Sequence, residues 1–103
     1  MKGSRLYDPR NLQHAFSRHA PDFGISDNWS ETSSKLFKQA IESHIAASSV
    51  VTSGTYRGVV AVTHYFDPTT KLRVAFDLTN TFVAGWRLYP SQIIKLLTKG
   101  DIT

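Results

Sequence analysis

The chain has 103 residues, 12 lysines and arginines against 8 aspartates and glutamates, a net charge of +4 and a pI near 9.6. A chain of this length forms one domain that buries roughly two thirds of its unfolded surface, and its charge is a mild bias towards polyanions, nucleic acid most simply. The absence of cysteine excludes disulfides, thiolate chemistry and cysteine-type zinc sites, so the covalent state is the same in oxidising and reducing compartments.

No apolar run approaches the length of a membrane span, and the N-terminus carries no secretory-signal pattern. Residues 1–8 are expected to form a flexible lead-in or module boundary, and residues 9–103 a single domain. Asp8 caps a first helix with Pro9 at its first position, where a missing N–H has no partner to lose. Leu12, Ala15, Phe16 and His19 recur at 3- and 4-residue spacing and line one face. Pro21 stops the helix and is expected to push Ala20 out of the helical region. His19 then lies at the helix end, where the carbonyl-rich terminus favours its protonated form. Asp22-Phe23-Gly24 follows as a turn.

Asn28 with Glu31 fits a capping box, Ser30 being the alternative cap. Ser33, Leu36, Phe37, Ala40, Ile41, His44, Ile45 and Ser48 make one stripe of an amphipathic helix, with His44 as a buried, hydrogen-bonded histidine. Beyond Ser48 the period changes. Val50–Thr52 is a short β-prone segment that Ser53-Gly54 breaks, and Thr55–Phe66 reads as one long strand. Asp67–Thr70 turns the chain, Lys71–Thr79 returns as a strand with Arg73 on its polar face, and Phe82–Tyr89 completes a meander. Ser91–Lys99 is a short helix ended by Gly100. This order gives an α+β fold, N-terminal helices packed on a small antiparallel β-sheet with the other sheet face exposed.

The sequence has no phosphate-cradling glycine loop, no histidine pair at metal-ligand spacing and no serine in a nucleophile elbow, and its carboxylates are scattered. No metal site and no cofactor are expected. Basic and aromatic residues interleave instead: Tyr56 with Arg57, His64 with Tyr65, Trp86 with Arg87. Guanidinium groups serve phosphate oxygens and aromatic rings stack on unpaired bases, a mixture suited to single-stranded RNA.

Several motifs in register support a resemblance. His19-Ala20 with Asp22-Phe23-Gly24-Ile25, then Gly54–Arg57, the Tyr65–Thr70 corner, and Phe82 through Gly85-Trp86 resemble the nuclease domain of colicin D and related contact-dependent growth-inhibition toxins. The resemblance covers most of the chain. It implies a barnase–EndoU–colicin–RelE type of fold and a metal-independent bacteriocin-type ribonuclease that cuts a tRNA anticodon loop. His19 matches that family's catalytic histidine, Arg18 its adjacent lysine and Trp86 its active-site tryptophan. Phe16 stands in place of a second lysine, and Ala84 in place of a serine two residues before the tryptophan. Metal-free cleavage by the 2′-hydroxyl needs a base, an acid and positive charge on the non-bridging oxygens. His19 is the expected acid or base, Arg18 and Arg57 the oxyanion stabilisers, and Trp86 the positioning residue. Tyr56, Arg57, Arg87 and His64 are expected to bind substrate, with His64 and Tyr56 open as the second proton-transfer group.

The resemblance further implies export from a producing bacterium within a larger toxin, action in the cytoplasm of the target cell, and a neutralising immunity protein. Charge complementarity makes that partner acidic, and the chain a monomer or half of a toxin–immunity heterodimer. The alternative from another class is a non-catalytic single-stranded-RNA-binding module, which would bind with strong salt dependence and release no cyclic phosphate. A third is a structural domain with no RNA affinity.

Overall fold

A computed structural model describes residues 5–102. The expected lead-in over residues 1–8 falls partly outside the described residues. From Arg5 onwards the chain is held: Arg5 pairs with Glu42 (2.8 Å), Tyr7 donates its hydroxyl to the same carboxylate, and Leu6 bridges to Thr81.

The first helix, α1, is Pro9–His19 and the second, α2, is Glu31–Ala47. Asp8 caps α1 by accepting from the Arg10 and Asn11 N–H groups, satisfying two of the donors that a helix start leaves free. Ser30, not Asn28, caps α2, and its box partner is Ser33. Four strands follow as an antiparallel meander: β1 Val50–Tyr56, β2 Val60–Phe66, β3 Leu72–Asp77 and β4 Phe82–Arg87. A third helix, α3 (Pro90–Lys99), ends at Gly100, and a two-residue strand, β5 (Asp101–Ile102), pairs in parallel with β1. The sheet order is β4-β3-β2-β1-β5.

The expected long strand Thr55–Phe66 is two strands. Arg57 (φ 56°) and Gly58 (φ 72°) both take left-handed backbone, as in a type I′ turn, and fold β1 back on β2. Nor does Gly54 break β1. It lies inside the strand because Gly100 crosses it so closely that a Cβ would stand 1.8 Å from the Gly100 carbonyl oxygen.

Around β3 the sheet is packed on both faces, while Val51, Ser53, Val60 and Ala61 of β1 and β2 stay exposed. On one face, α1 and α2 enclose Leu12, Phe16, Phe37, Ile41, Val74, Phe76 and Phe82. On the other, expected to be exposed, α3 covers a second cluster of Phe66, Leu88, Leu96 and Ile102. Consequently β3 is buried from Leu72 to Phe76, Arg73 included, so its alternation of apolar and polar residues does not mark a wet face.

Candidate active site

A cavity of about 670 Å³ opens where α1, β4, the β1–β2 turn and the start of α3 meet. Its wall brings together Arg18 and His19 from α1, Tyr56 and Arg57 from the turn, and Trp86 and Arg87 from β4. Six of the seven site residues expected from the sequence therefore share one cavity.

His19 closes α1, but the local geometry is not the expected one. Ala20 keeps helical dihedrals (φ −53°, ψ −40°), and His19 is the residue that leaves them (φ −133°, ψ 6°). A 3-10 turn over Ala20–Phe23 outweighs the usual restriction before proline. The Gly24 N–H donates to the Pro21 carbonyl (3.0 Å) and the Ile25 N–H to that of Ala20 (3.1 Å), with Gly24 at φ 79° closing the turn. The kink carries the imidazole onto the Trp86 indole, centroids 5.4 Å apart and planes 29° apart. No described residue hydrogen-bonds its ring nitrogens.

The protonated form of His19 is disfavoured, contrary to the helix-end expectation. Desolvation against the cavity wall lowers its pKa first, Asp22 pulls upward, and the neighbouring Arg18 and His14 push down again. The result suits an imidazole that accepts a proton.

Trp86 is fixed from two sides. Its indole N–H donates to Gln92 Oε1 (3.3 Å), an oxygen that also accepts from the Tyr89 N–H (2.9 Å) at the start of α3. The guanidinium of Arg73 lies 4.9 Å from the Trp86 ring and 5.3 Å from that of Tyr56. Arg73 has 0% exposure and two terminal nitrogens without a hydrogen-bond partner. Burial lowers its pKa to about 10, so it stays a cation at neutral pH. One cation is thus sealed behind two rings of the cavity wall.

His64 is the seventh expected site residue, and it does not reach the cavity. It is 0% exposed behind that aromatic wall. Arg73 Nε must donate, so His64 Nδ1 accepts (3.1 Å) and Nε2–H donates to the Thr55 and Gly100 carbonyls (3.0 Å each). Every polar atom of the ring is engaged, which excludes direct contact with substrate. His44 is the buried histidine expected, with Nε2 2.9 Å from the Tyr65 carbonyl oxygen.

Arg87 is a clasp as well as a cavity residue. Its backbone N–H donates to Asp22 Oδ2 (3.0 Å) and its guanidinium to the Asp22 and Thr70 carbonyls (3.3 Å each), fastening the His19 turn to β4. Arg57 covers the Tyr56 ring at 5.2 Å, and its turn is stapled by Asp101, which accepts from the Thr55 hydroxyl (2.7 Å) and the Gly58 N–H (2.8 Å). Of the two departures from the family pattern, Phe16 faces away from the cavity, edge-on to Trp29 and Phe37 in the core, whereas Ala84 lines it. Sequence reasoning missed His14, Gln92 and Arg73. His14 and Gln92 had only their helical phase as a signal, and Arg73 had none, because its aromatic cage comes from two other strands.

Among the described residues no group of three or more His, Cys, Asp or Glu side chains is placed to hold a metal ion. Three cavity guanidiniums, an imidazole free to exchange a proton and the exposed Tyr89 ring have the chemistry to take an anion attached to a ring, as in a nucleotide.

A family model described as Colicin D matches residues 11–96. Colicin-D of Escherichia coli is 40% identical over 75 residues, which are 71% of this chain and 11% of that protein. The chain thus spans about a tenth of the length of that relative. A solved structure of a ribonuclease from Escherichia coli complexed with its inhibitor protein is 32% identical, covers 88% of this chain and 99% of its own, and superposes with a TM-score of 0.75.

Proposed function

The chain belongs to the colicin D family, and on that premise we propose that it is the ribonuclease domain of a bacteriocin-type toxin, cutting tRNA in the anticodon loop. The observation that carries the reading is the His19–Trp86 stack on a cavity whose other polar wall is cationic. A looped-out base stacks on an aromatic ring, Tyr89 being the exposed one on this wall, and its phosphate then falls among the arginines.

In the proposed reaction His19 takes the 2′-hydroxyl proton, and the 2′-oxygen bonds to the adjacent phosphorus. The bond from phosphorus to the 5′-oxygen breaks, and that oxygen is protonated as it leaves. The products are a 2′,3′-cyclic phosphate and a 5′-hydroxyl. Arg18 and Arg57 stabilise the charge that builds on the non-bridging oxygens, while Tyr56 and Trp86 position the substrate. Arg87 contributes charge and holds the turn that carries His19.

A cavity ringed by guanidiniums also accounts for an acidic inhibitor protein in the producing cell, whose carboxylates would occupy the phosphate positions. Delivery within a larger toxin and action in the cytoplasm of the target cell belong to the same reading, supported by the size of the Escherichia coli relative.

The test is total bacterial tRNA incubated with the purified protein and with His19→Ala in excess EDTA. Each isoacceptor is then probed for fragments and end chemistry. Discrete anticodon-loop fragments with cyclic-phosphate ends, absent with the variant, are expected. Intact tRNA throughout, with salt-sensitive binding retained, would replace the nuclease by an RNA-binding module.

A further inference from the structure

Cleavage through the 2′-hydroxyl moves two protons, one off the attacking oxygen and one onto the departing oxygen, and each carrier must come within about 3 Å of its atom. His19 accounts for one. The cavity wall narrows the choice of the other.

Asp22 already accepts from the Arg87 backbone and pairs with its guanidinium (3.9 Å). The arginines do not give up a proton in a protein. Tyr56 and Tyr89 are phenols, poorer proton carriers at neutral pH than an imidazole. Of the four histidines, His44 and His64 are buried on backbone carbonyls away from the cavity.

His14 remains. It is exposed, lines the same cavity as His19, and makes no hydrogen bond or ion pair among the described residues. Both histidines sit on α1, which at 1.5 Å per residue separates their backbones by about 7.5 Å along the axis. Both residues line the one cavity, so a phosphodiester held in it is within reach of both. The two imidazoles also feel each other, since His14 helps to hold the His19 pKa down. The charged side chains sharing the cavity with the pair are Arg18 of α1, Asp22 of the following turn, Arg57 of the hairpin and Arg87 of β4.

We infer that His14 is a second catalytic residue, the general acid that protonates the 5′-oxygen while neutral His19 takes the proton from the 2′-hydroxyl. Resting on the nuclease reading above, this names a group that reading leaves open. After one turnover His19 carries the proton and His14 lacks one, and exchange with water resets both.

The test uses the full chain with an RNA substrate in which the 5′-oxygen at the cut bond is replaced by sulfur. A thiolate departs without being protonated. His14→Ala is expected to lose about 10²-fold or more of kcat on the all-oxygen RNA and to return to within a few-fold of wild type on the sulfur RNA. His19→Ala stays impaired on both. The pH–rate profile of His14→Ala should lose its alkaline limb, which reports the need for a protonated acid. Wild-type kcat in His14→Ala, or an equal loss on both substrates, overturns the assignment. A wild-type protein that cuts neither RNA overturns the nuclease reading itself.

Discussion

A histidine that must take a proton from a hydroxyl should be neutral at working pH, and that is what burial and the neighbouring Arg18 and His14 arrange for His19. Cleavage should therefore persist below pH 6.5, the usual midpoint for histidine, with the acidic limb of the kcat profile displaced downwards. His19→Ala should lose roughly 10²–10⁴-fold in rate without moving the thermal midpoint, because the ring makes no hydrogen bond within the described fold. A proportional loss of stability in that variant would show that the stack on Trp86 serves packing instead. Arg73 poses the opposite case. Burying a guanidinium without a carboxylate carries a desolvation penalty of several kcal/mol, offset by two desolvated cation–π contacts of about 2 kcal/mol each and the bond to His64. Arg73→Met leaves the buried His64 Nδ1 without its donor, a cost of about 1–3 kcal/mol, and should slow cleavage beyond what that loss explains, because Trp86 and Tyr56 lose what holds them. Thermal melts beside cleavage rates decide this, and a rate that falls no further than the lost stability explains would make Arg73 an ordinary core residue. His19, Arg18 and Trp86 were legible in the sequence because they sit in a motif. Arg73 was not, because a polar residue in an alternating strand looks the same whether it meets water or two rings from other strands.

At the scale of elements, the helices were the most legible part, since capping residues and 3.6-residue spacing are local signals. The hairpin was misread for a local reason too. A type I′ turn usually announces itself with Asn-Gly or Asp-Gly, whereas here arginine occupies the first left-handed position (φ 56°), with Asp101 holding the turn from a strand two residues long. That strand has no pattern to detect, yet it places Arg57 at the cavity. Two substitutions probe this assembly. Gly54→Ala puts a methyl group where the Gly100 carbonyl stands, so β5 must lift from β1 and the midpoint should fall sharply, measured by thermal unfolding. Asp101→Ala leaves the Gly58 N–H and the Thr55 hydroxyl without their acceptor. It should destabilise by about 1–3 kcal/mol and weaken RNA binding through a loosened Arg57. Unchanged RNA affinity in Asp101→Ala would show that the turn holds its shape without the staple.

For the whole molecule, pH joins the site to the fold. His19, His44 and His64 all have pKa values lowered chiefly by burial, so the unfolded chain binds protons more readily than the folded one. Stability from these three is fully present above about pH 6.5 and declines as the pH falls below it, because the slope of unfolding free energy follows the excess of protons on the unfolded state. His64 sharpens the effect. Its Nδ1 is the acceptor for Arg73, and protonation would both destroy that bond and set two cations face to face in a sealed space. Glu42, held down by Arg5 and Tyr7, follows the usual carboxylate course, its contribution present above about pH 4.3 and lost further into acid. The midpoint should thus fall in two stages on acidification, the first setting in below about pH 6.5 and the second below about pH 4.3. Replacing His64 by glutamine, which offers Arg73 an amide oxygen that does not titrate, should flatten the first stage while leaving the second in place. Thermal midpoints from pH 4 to 8 for both proteins measure this. An undiminished first stage in His64→Gln would move the acid sensitivity to His44 and His19, and the buried Arg73–His64 pair would then be indifferent to pH.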